Sequence, residues 1–233
     1  VPASSPSSAE KEFVALPKRA LVEHRPWLLA AIVAAIAFYF LRDNAIGGVW
    51  LILLKGSAVA ALAVYAFNRS HTPDARILCA VMVFSALGDM GIELSFEIGG
   101  LFFFVAHLAA ISLYLRNGRE VSTPSQKALA VTLLLGTPAI SYLLTANWQV
   151  TLYALALGGM AATAWMSRFP RYRTGIGAVL FVVSDWLIFA EMGQPAGNII
   201  SQLLIWPTYF LGQFLIATGV IQTLRGEHPQ GGS

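Results

Sequence analysis

Asp89 and Asp185 interrupt stretches that are otherwise apolar enough to lie in lipid: Ser85-Ala86-Leu87-Gly88-Asp89 in one and Ser184-Asp185 in the other. An ionised carboxylate in hydrocarbon costs roughly 3 kcal/mol or more, so such a residue turns inward to a partner, a wet cavity or a substrate. Two carboxyl groups sharing one apolar site divide into a protonated acid and an ionised base, because adjacent like charges resist forming together. General acid–base catalysis is the chemistry that this pair points to.

Other polar side chains fall in the same half of the expected membrane. At a helical rise of about 1.5 Å per residue, Asp89 lies about 5 Å and Asp185 about 6–10 Å below the outer ends of their spans. Lys55 and His107 lie about 10 Å below, with Tyr209 near the centre and Gln213 further in. Together with Ser85 and Ser184 they predict one polar cavity. Plainer readings exist for each. Asp89 could sit hydrated at a frayed helix end beside Glu93, and Asp185 could make one structural hydrogen bond. Lys55 could snorkel to the interface, and His107 could be packing. Tyr209 and Gln213, at i and i+4, could join two helices. Of His24, His71, His107 and His228 only His107 falls within a span, and Cys79 is the single cysteine, so no metal site is expected. Neither a phosphate-binding glycine loop nor a G-x-S-x-G elbow is present, and Ser85 and Ser184 have no histidine beside them in sequence to act as base.

These residues must be held by membrane helices. The 233-residue chain is 57% hydrophobic and only 12% charged, with mean hydropathy +0.66. Soluble domains carry about 25% charged residues, so the fold class is all-α and polytopic. Runs at 26–41, 48–67, 75–92, 100–115, 127–144, 148–166, 174–189 and 198–224 predict eight spans in one domain, 26–224. A flexible, partly amphipathic arm (1–25) precedes it and a short tail (225–233) follows. Of the 15 Lys and Arg residues, all but Arg42 and Lys55 fall in segments that this count places inside, while Glu93, Glu97 and Glu191 fall outside. That asymmetry predicts a multi-pass chain with both termini in the cytoplasm. The net charge of +3 is spread over short loops, which argues against a nucleic-acid partner. Phe84-Ser85 before Gly88-Asp89 is echoed by Phe181 before Ser184-Asp185, four spans on, as a parallel duplication would give.

Phe84-Ser85-Ala86-Leu87-Gly88-Asp89, followed by Gly99-Gly100-Leu101-Phe102-Phe103-Phe104-Val105-Ala106-His107, resembles the S-x-x-G-D … G-x-x-x-F-x-x-A-H pattern of the YhhN-type lysoplasmalogenase family. Gly177 to Asp185 resembles its second signature, and Thr208-Tyr209-Phe210-Leu211-Gly212-Gln213 resembles the Tyr-x-x-x-Gln element of its last helix. Ala110 departs from the pattern where an aromatic is expected. The resemblance implies an eight-helix membrane hydrolase that cleaves the vinyl-ether bond of lysoplasmalogens without a cofactor. Its products would be a fatty aldehyde and glycerophospho-ethanolamine or -choline, and its partners a lysophospholipid substrate and membrane lipid. Asp89 and Asp185 would then share acid and base roles, with Asp185, read as the deeper, the preferred acid. His107, Tyr209, Gln213, Ser85 and Ser184 would orient substrate or water, and Lys55 would meet the phosphate. Two other readings are open. A proton-coupled lipid or solute transporter also needs intramembrane carboxylates. An intramembrane aspartyl protease is suggested by Gly88-Asp89 and Pro138-Ala139-Ile140, but Ala86 and the order of the elements depart from that pattern.

Overall fold

Capping chemistry sets the helix boundaries. Thr72 accepts a hydrogen bond from the Ala75 amide, Ser95 from Ile98, and Asn147 from Gln149 and Val150. Thr123 and Gln126 form a reciprocal capping box, and proline occupies the first turn after Arg25, Thr72 and Thr123. The resulting elements are α1 (Pro26–Leu41), α2 (Val49–Arg69), α3 (Pro73–Ile92), α4 (Phe96–Arg116), α5 (Pro124–Thr145), α6 (Trp148–Met166), α7 (Ile176–Met192) and α8 (Ile199–Glu227). A π-helical turn, Arg171–Gly175, leads into α7. The computed structural model describes residues 25–43, 47–193 and 198–227. The expected arm, apart from Arg25, and the tail beyond residue 227 lie outside the described residues.

One helix therefore stands at each expected span, with shifted ends. Hydropathy begins the fourth span at 100, but α4 starts at Phe96 because the Ser95 side chain caps it. Among the described residues, six helical segments are long and apolar enough to cross a bilayer: α2 to α5, the π turn with α7, and α8. The chain is thus a multi-pass membrane protein. The two helices below that standard have physical reasons. With 16 residues, α1 is short, about 24 Å against a hydrocarbon core of about 30 Å. Helix α6 is rich in Ala and Gly, from Ala154 through Ala164, and most of that stretch is buried, so it packs on protein and needs less lipid-seeking surface.

Neighbours in sequence pack as neighbours in space: α1 on α2, α2 on α3, α3 on α4, α5 on α6 and α7 on α8. Helix α4 also packs on α6, α5 on α7, and α8 crosses to α2 and α3, which closes the bundle. Small residues permit the tightest crossings, as they do in membrane helices generally. A Cβ at Gly158 of α6 would lie 2.6 Å from the Leu133 carbonyl oxygen of α5. A Cβ at Gly177 of α7 would lie 2.7 Å from the Gly212 oxygen of α8, and one at Gly212 equally close to Gly177. At one end of the bundle, Arg25, Arg69, Arg173 and Arg225 all act electrostatically on the Tyr65 hydroxyl. The start of α1 and the end of α8 therefore share that end.

The α7–α8 crossing gives a stability test. Gly212→Val should lower the melting temperature in detergent, overpacking of this kind costing about 1–3 kcal/mol. Gly100→Ala is the control, since a Cβ there meets no atom within 4 Å; a melt of Gly212→Val matching that control would contradict the described crossing.

Candidate active site

Asp89 lies near the end of α3 and Asp185 in the middle of α7, and both are buried, at 3% and 5% exposure. Each carboxyl group is met by one phenol. Tyr209 of α8 donates to Asp89 Oδ2 at 2.8 Å, and Tyr153 of α6 donates to Asp185 Oδ2 at 2.8 Å. A second polar group stands behind each tyrosine. Gln213 Nε2, one turn along α8, donates to the Tyr209 oxygen at 3.3 Å, and His107 Nε2 of α4 lies 3.1 Å from the Tyr153 oxygen. Ser184 Oγ donates to the Phe181 carbonyl at 2.8 Å and reaches Asp185 Oδ1 at 3.3 Å.

Aromatic rings fix these side chains. Phe103, Phe181 and Tyr209 meet edge to face, with centroids 5.1 to 5.9 Å apart. Phe181 also packs on His107 at 5.0 Å, so one ring touches both hydrogen-bonded chains. Gly88, beside Asp89, allows the close approach of α4: a Cβ there would lie 2.8 Å from the Phe103 ring. Trp206 backs Tyr209 at 5.7 Å and is itself anchored by an Nε1 hydrogen bond of 3.0 Å to the Ala35 carbonyl.

Both aspartates line a single cavity of about 490 Å³. That is within the usual range for small-molecule sites, about 300–1,000 Å³. Lys55, Tyr153, Ser184 and Tyr209 share its lining, and the rest of the wall is mainly apolar. Glu97, Asn147 and Gln149 line it where α4 and α6 begin, opposite the arginine-bearing ends of α2 and α4. Leu101, Leu152 and Met192 line it too, yet are 64%, 63% and 47% exposed on the bundle exterior. The cavity therefore opens between helices as well as at the bundle end. Lys55 Nζ forms an ion pair with Glu93 Oε1 at 2.6 Å and lies 5.6 Å from the Phe38 ring centroid.

The residues singled out by sequence thus separate into two groups. Asp89, Asp185, Lys55, Ser184 and Tyr209 face the cavity. His107 and Gln213 are each 1% exposed and stand behind the tyrosines. Ser85 is fully buried, and its hydroxyl has no hydrogen-bond partner among the described residues. Tyr153 escaped the sequence reading, because a tyrosine near the start of a span resembles an interfacial aromatic. Among the described residues no three His, Cys, Asp or Glu side chains cluster as metal ligands would.

Among the described residues, α2, α3, α4, α6, α7 and α8 line a mainly apolar cavity that holds two tyrosine-bound aspartates, which defines a polytopic membrane protein with a buried polar centre. Residues 50–220 match the YhhN family, and the chain belongs to that family. It is 30% identical over 181 residues to lysoplasmalogenases of Mycobacterium bovis and Mycobacterium tuberculosis, in alignments covering 71% of this chain and 68% of each relative. No solved structure matches the chain.

Gly100 tests the cavity directly. It lines the space, and a Cβ at this position meets nothing within 4 Å. Gly100→Phe should therefore fill the cavity without lowering the melting temperature. Binding of an apolar fluorescent probe should weaken about tenfold or more, a loss of about 1.4 kcal/mol. Unchanged binding would mean that the probe does not enter here.

Proposed function

We propose that this protein is an integral membrane hydrolase that cleaves the vinyl-ether bond of lysoplasmalogens. It releases a fatty aldehyde and glycerophospho-ethanolamine or -choline. One observation carries the reading: two buried carboxyl groups, each held by a phenol, face one apolar cavity that is open between helices. The relationship to lysoplasmalogenases supports the choice of substrate.

Vinyl-ether hydrolysis needs an acid, a base and one water. A neutral aspartic acid gives its proton to the alkenyl carbon remote from oxygen; the π pair forms the new C–H bond and leaves an oxocarbenium cation. The other aspartate, ionised, stabilises that cation and removes a proton as water adds to it. The hemiacetal then collapses. The second aspartic acid returns its proton to the departing glycerol oxygen, and the first carboxylate takes the hemiacetal hydroxyl proton. Both groups end as they began, so the cycle consumes only water and requires no cofactor.

Lys55, which lines the cavity, meets the substrate phosphate by exchanging its ion pair with Glu93. The alkenyl chain lies along the apolar wall and leaves through the gap beside Leu101 and Leu152. With the arginine-bearing end in the cytoplasm, as the positive-inside rule directs, both termini are cytoplasmic and the polar rim faces the outer leaflet of a bacterial inner membrane.

Purified protein should release aldehyde from a lysoplasmalogen, and neither aldehyde from an intact diradyl plasmalogen nor fatty acid from an ester lysophospholipid. Asp89→Asn and Asp185→Asn should each lower aldehyde release by about 10²–10⁴-fold, the usual contribution of a positioned proton-transfer group, with the melting temperature retained. Near-normal turnover in either variant would remove that residue from the mechanism.

A further inference from the structure

The two tyrosine-bound aspartates differ in what lies behind the phenol. Behind Tyr209, Gln213 presents an amide nitrogen, which only donates, so the one Tyr209 proton has Asp89 as its acceptor. That chain runs one way and ends on a carboxylate oxygen. Lys55, paired with Glu93, lines the same cavity as Asp89. Behind Tyr153, the His107 Nε2 can accept as well as donate. The Tyr153 proton therefore has two acceptors on opposite sides, Asp185 Oδ2 at 2.8 Å and His107 Nε2 at 3.1 Å. The groups that hydrogen-bond Asp185 are the hydroxyls of Tyr153 and Ser184.

From this asymmetry we infer that Asp185 is the general acid and Asp89 the standing carboxylate, and that Tyr153 and His107 are positioning residues forming a hydroxyl switch for Asp185. The inference rests on the ether-hydrolase reading above. While Asp185 is neutral, Tyr153 turns its proton to His107 Nε2, so the acid proton on Asp185 needs no competing donor beside it. As that proton passes to the alkenyl carbon, the Asp185 O–H bond breaks and a carboxylate remains. Tyr153 then rotates its O–H onto the new carboxylate, which gains a donor at the moment it gains charge. No proton leaves the site in this rotation, and His107 keeps its tautomer. Asp89 has no such switch: Tyr209 donates to it throughout, which suits a group that waits as an anion and accepts a proton from water.

Partial reactions in D₂O separate the roles. In Asp89→Asn, Asp185 can still deuterate the alkenyl carbon, but water capture is crippled. The cation then returns to substrate by losing either hydron. Recovered lysoplasmalogen should carry deuterium at that carbon with little aldehyde formed, whereas Asp185→Asn should show neither. Adding His107→Phe or Tyr153→Phe to Asp89→Asn should slow this wash-in. Alone, each should lower kcat by about 10²-fold, the low end of what positioned proton transfer contributes, with KM unchanged. Tyr153→Phe carries this arm should His107→Phe fail to fold. Wash-in by Asp185→Asn, wash-in by neither aspartate variant, or a Tyr153→Phe effect confined to KM or to the melting temperature would overturn the assignment. No aldehyde from the wild-type protein with any lysoplasmalogen would instead overturn the hydrolase reading beneath it.

Discussion

A carboxyl group withdrawn from water must find hydrogen-bond donors inside the protein, and that requirement organises the centre of this bundle. Hydrocarbon supplies none, and an unpaired buried charge costs several times what one hydrogen bond contributes, about 1 kcal/mol. The two donors come from phenols on helices other than those bearing the acids: α8 for Asp89 of α3, and α6 for Asp185 of α7. Each phenol oxygen then has a nitrogen behind it, on α8 again or on α4. Five helices are thereby committed to fixed rotations about their axes, because turning any of them would strand a polar atom in an apolar interior.

The closeness of the helices follows from residue size rather than from hydrophobic pressure, which lipid largely removes. Gly177 and Gly212 set the α7–α8 separation, and that separation places Asp185 and Tyr209 on one cavity wall. Gly158 sets the separation of α5 and α6 in the same way. The aromatic triangle of Phe103, Phe181 and Tyr209 occupies the space left between these crossings. Edge-to-face rings fill it without adding polar atoms that would need partners of their own.

Helix number and position were legible in the sequence because long apolar runs and arginine-bearing loops are local signals. Helix starts were less so: Ser95 begins α4 ahead of its apolar run, since a cap acts on backbone N–H groups that hydropathy ignores. The cavity residues divide along the same line. Asp89, Asp185 and Lys55 were visible as charges where lipid forbids them. Tyr153 was not, because its importance lies in the packing of α6 against α7, and one sequence carries no record of which helices touch. His107 and Gln213 were visible as polar residues, but their place behind a tyrosine depends on helix rotation. The likeness between the two aspartate segments extends to the acids, each met by a phenol, and not to the bonding of the serines. Ser184 is hydrogen-bonded and Ser85 has no partner among the described residues.

Leu101, Leu152 and Met192 belong at once to the cavity lining and to the outer face of the bundle. A ligand tail that passes between them need never be fully hydrated. Occupancy is then governed by mole fraction within the leaflet, a two-dimensional concentration, and is insensitive to how much lipid is dispersed in bulk solvent. Departure of such a ligand likewise becomes lateral diffusion in the bilayer, and the surrounding lipid acts as both reservoir and sink.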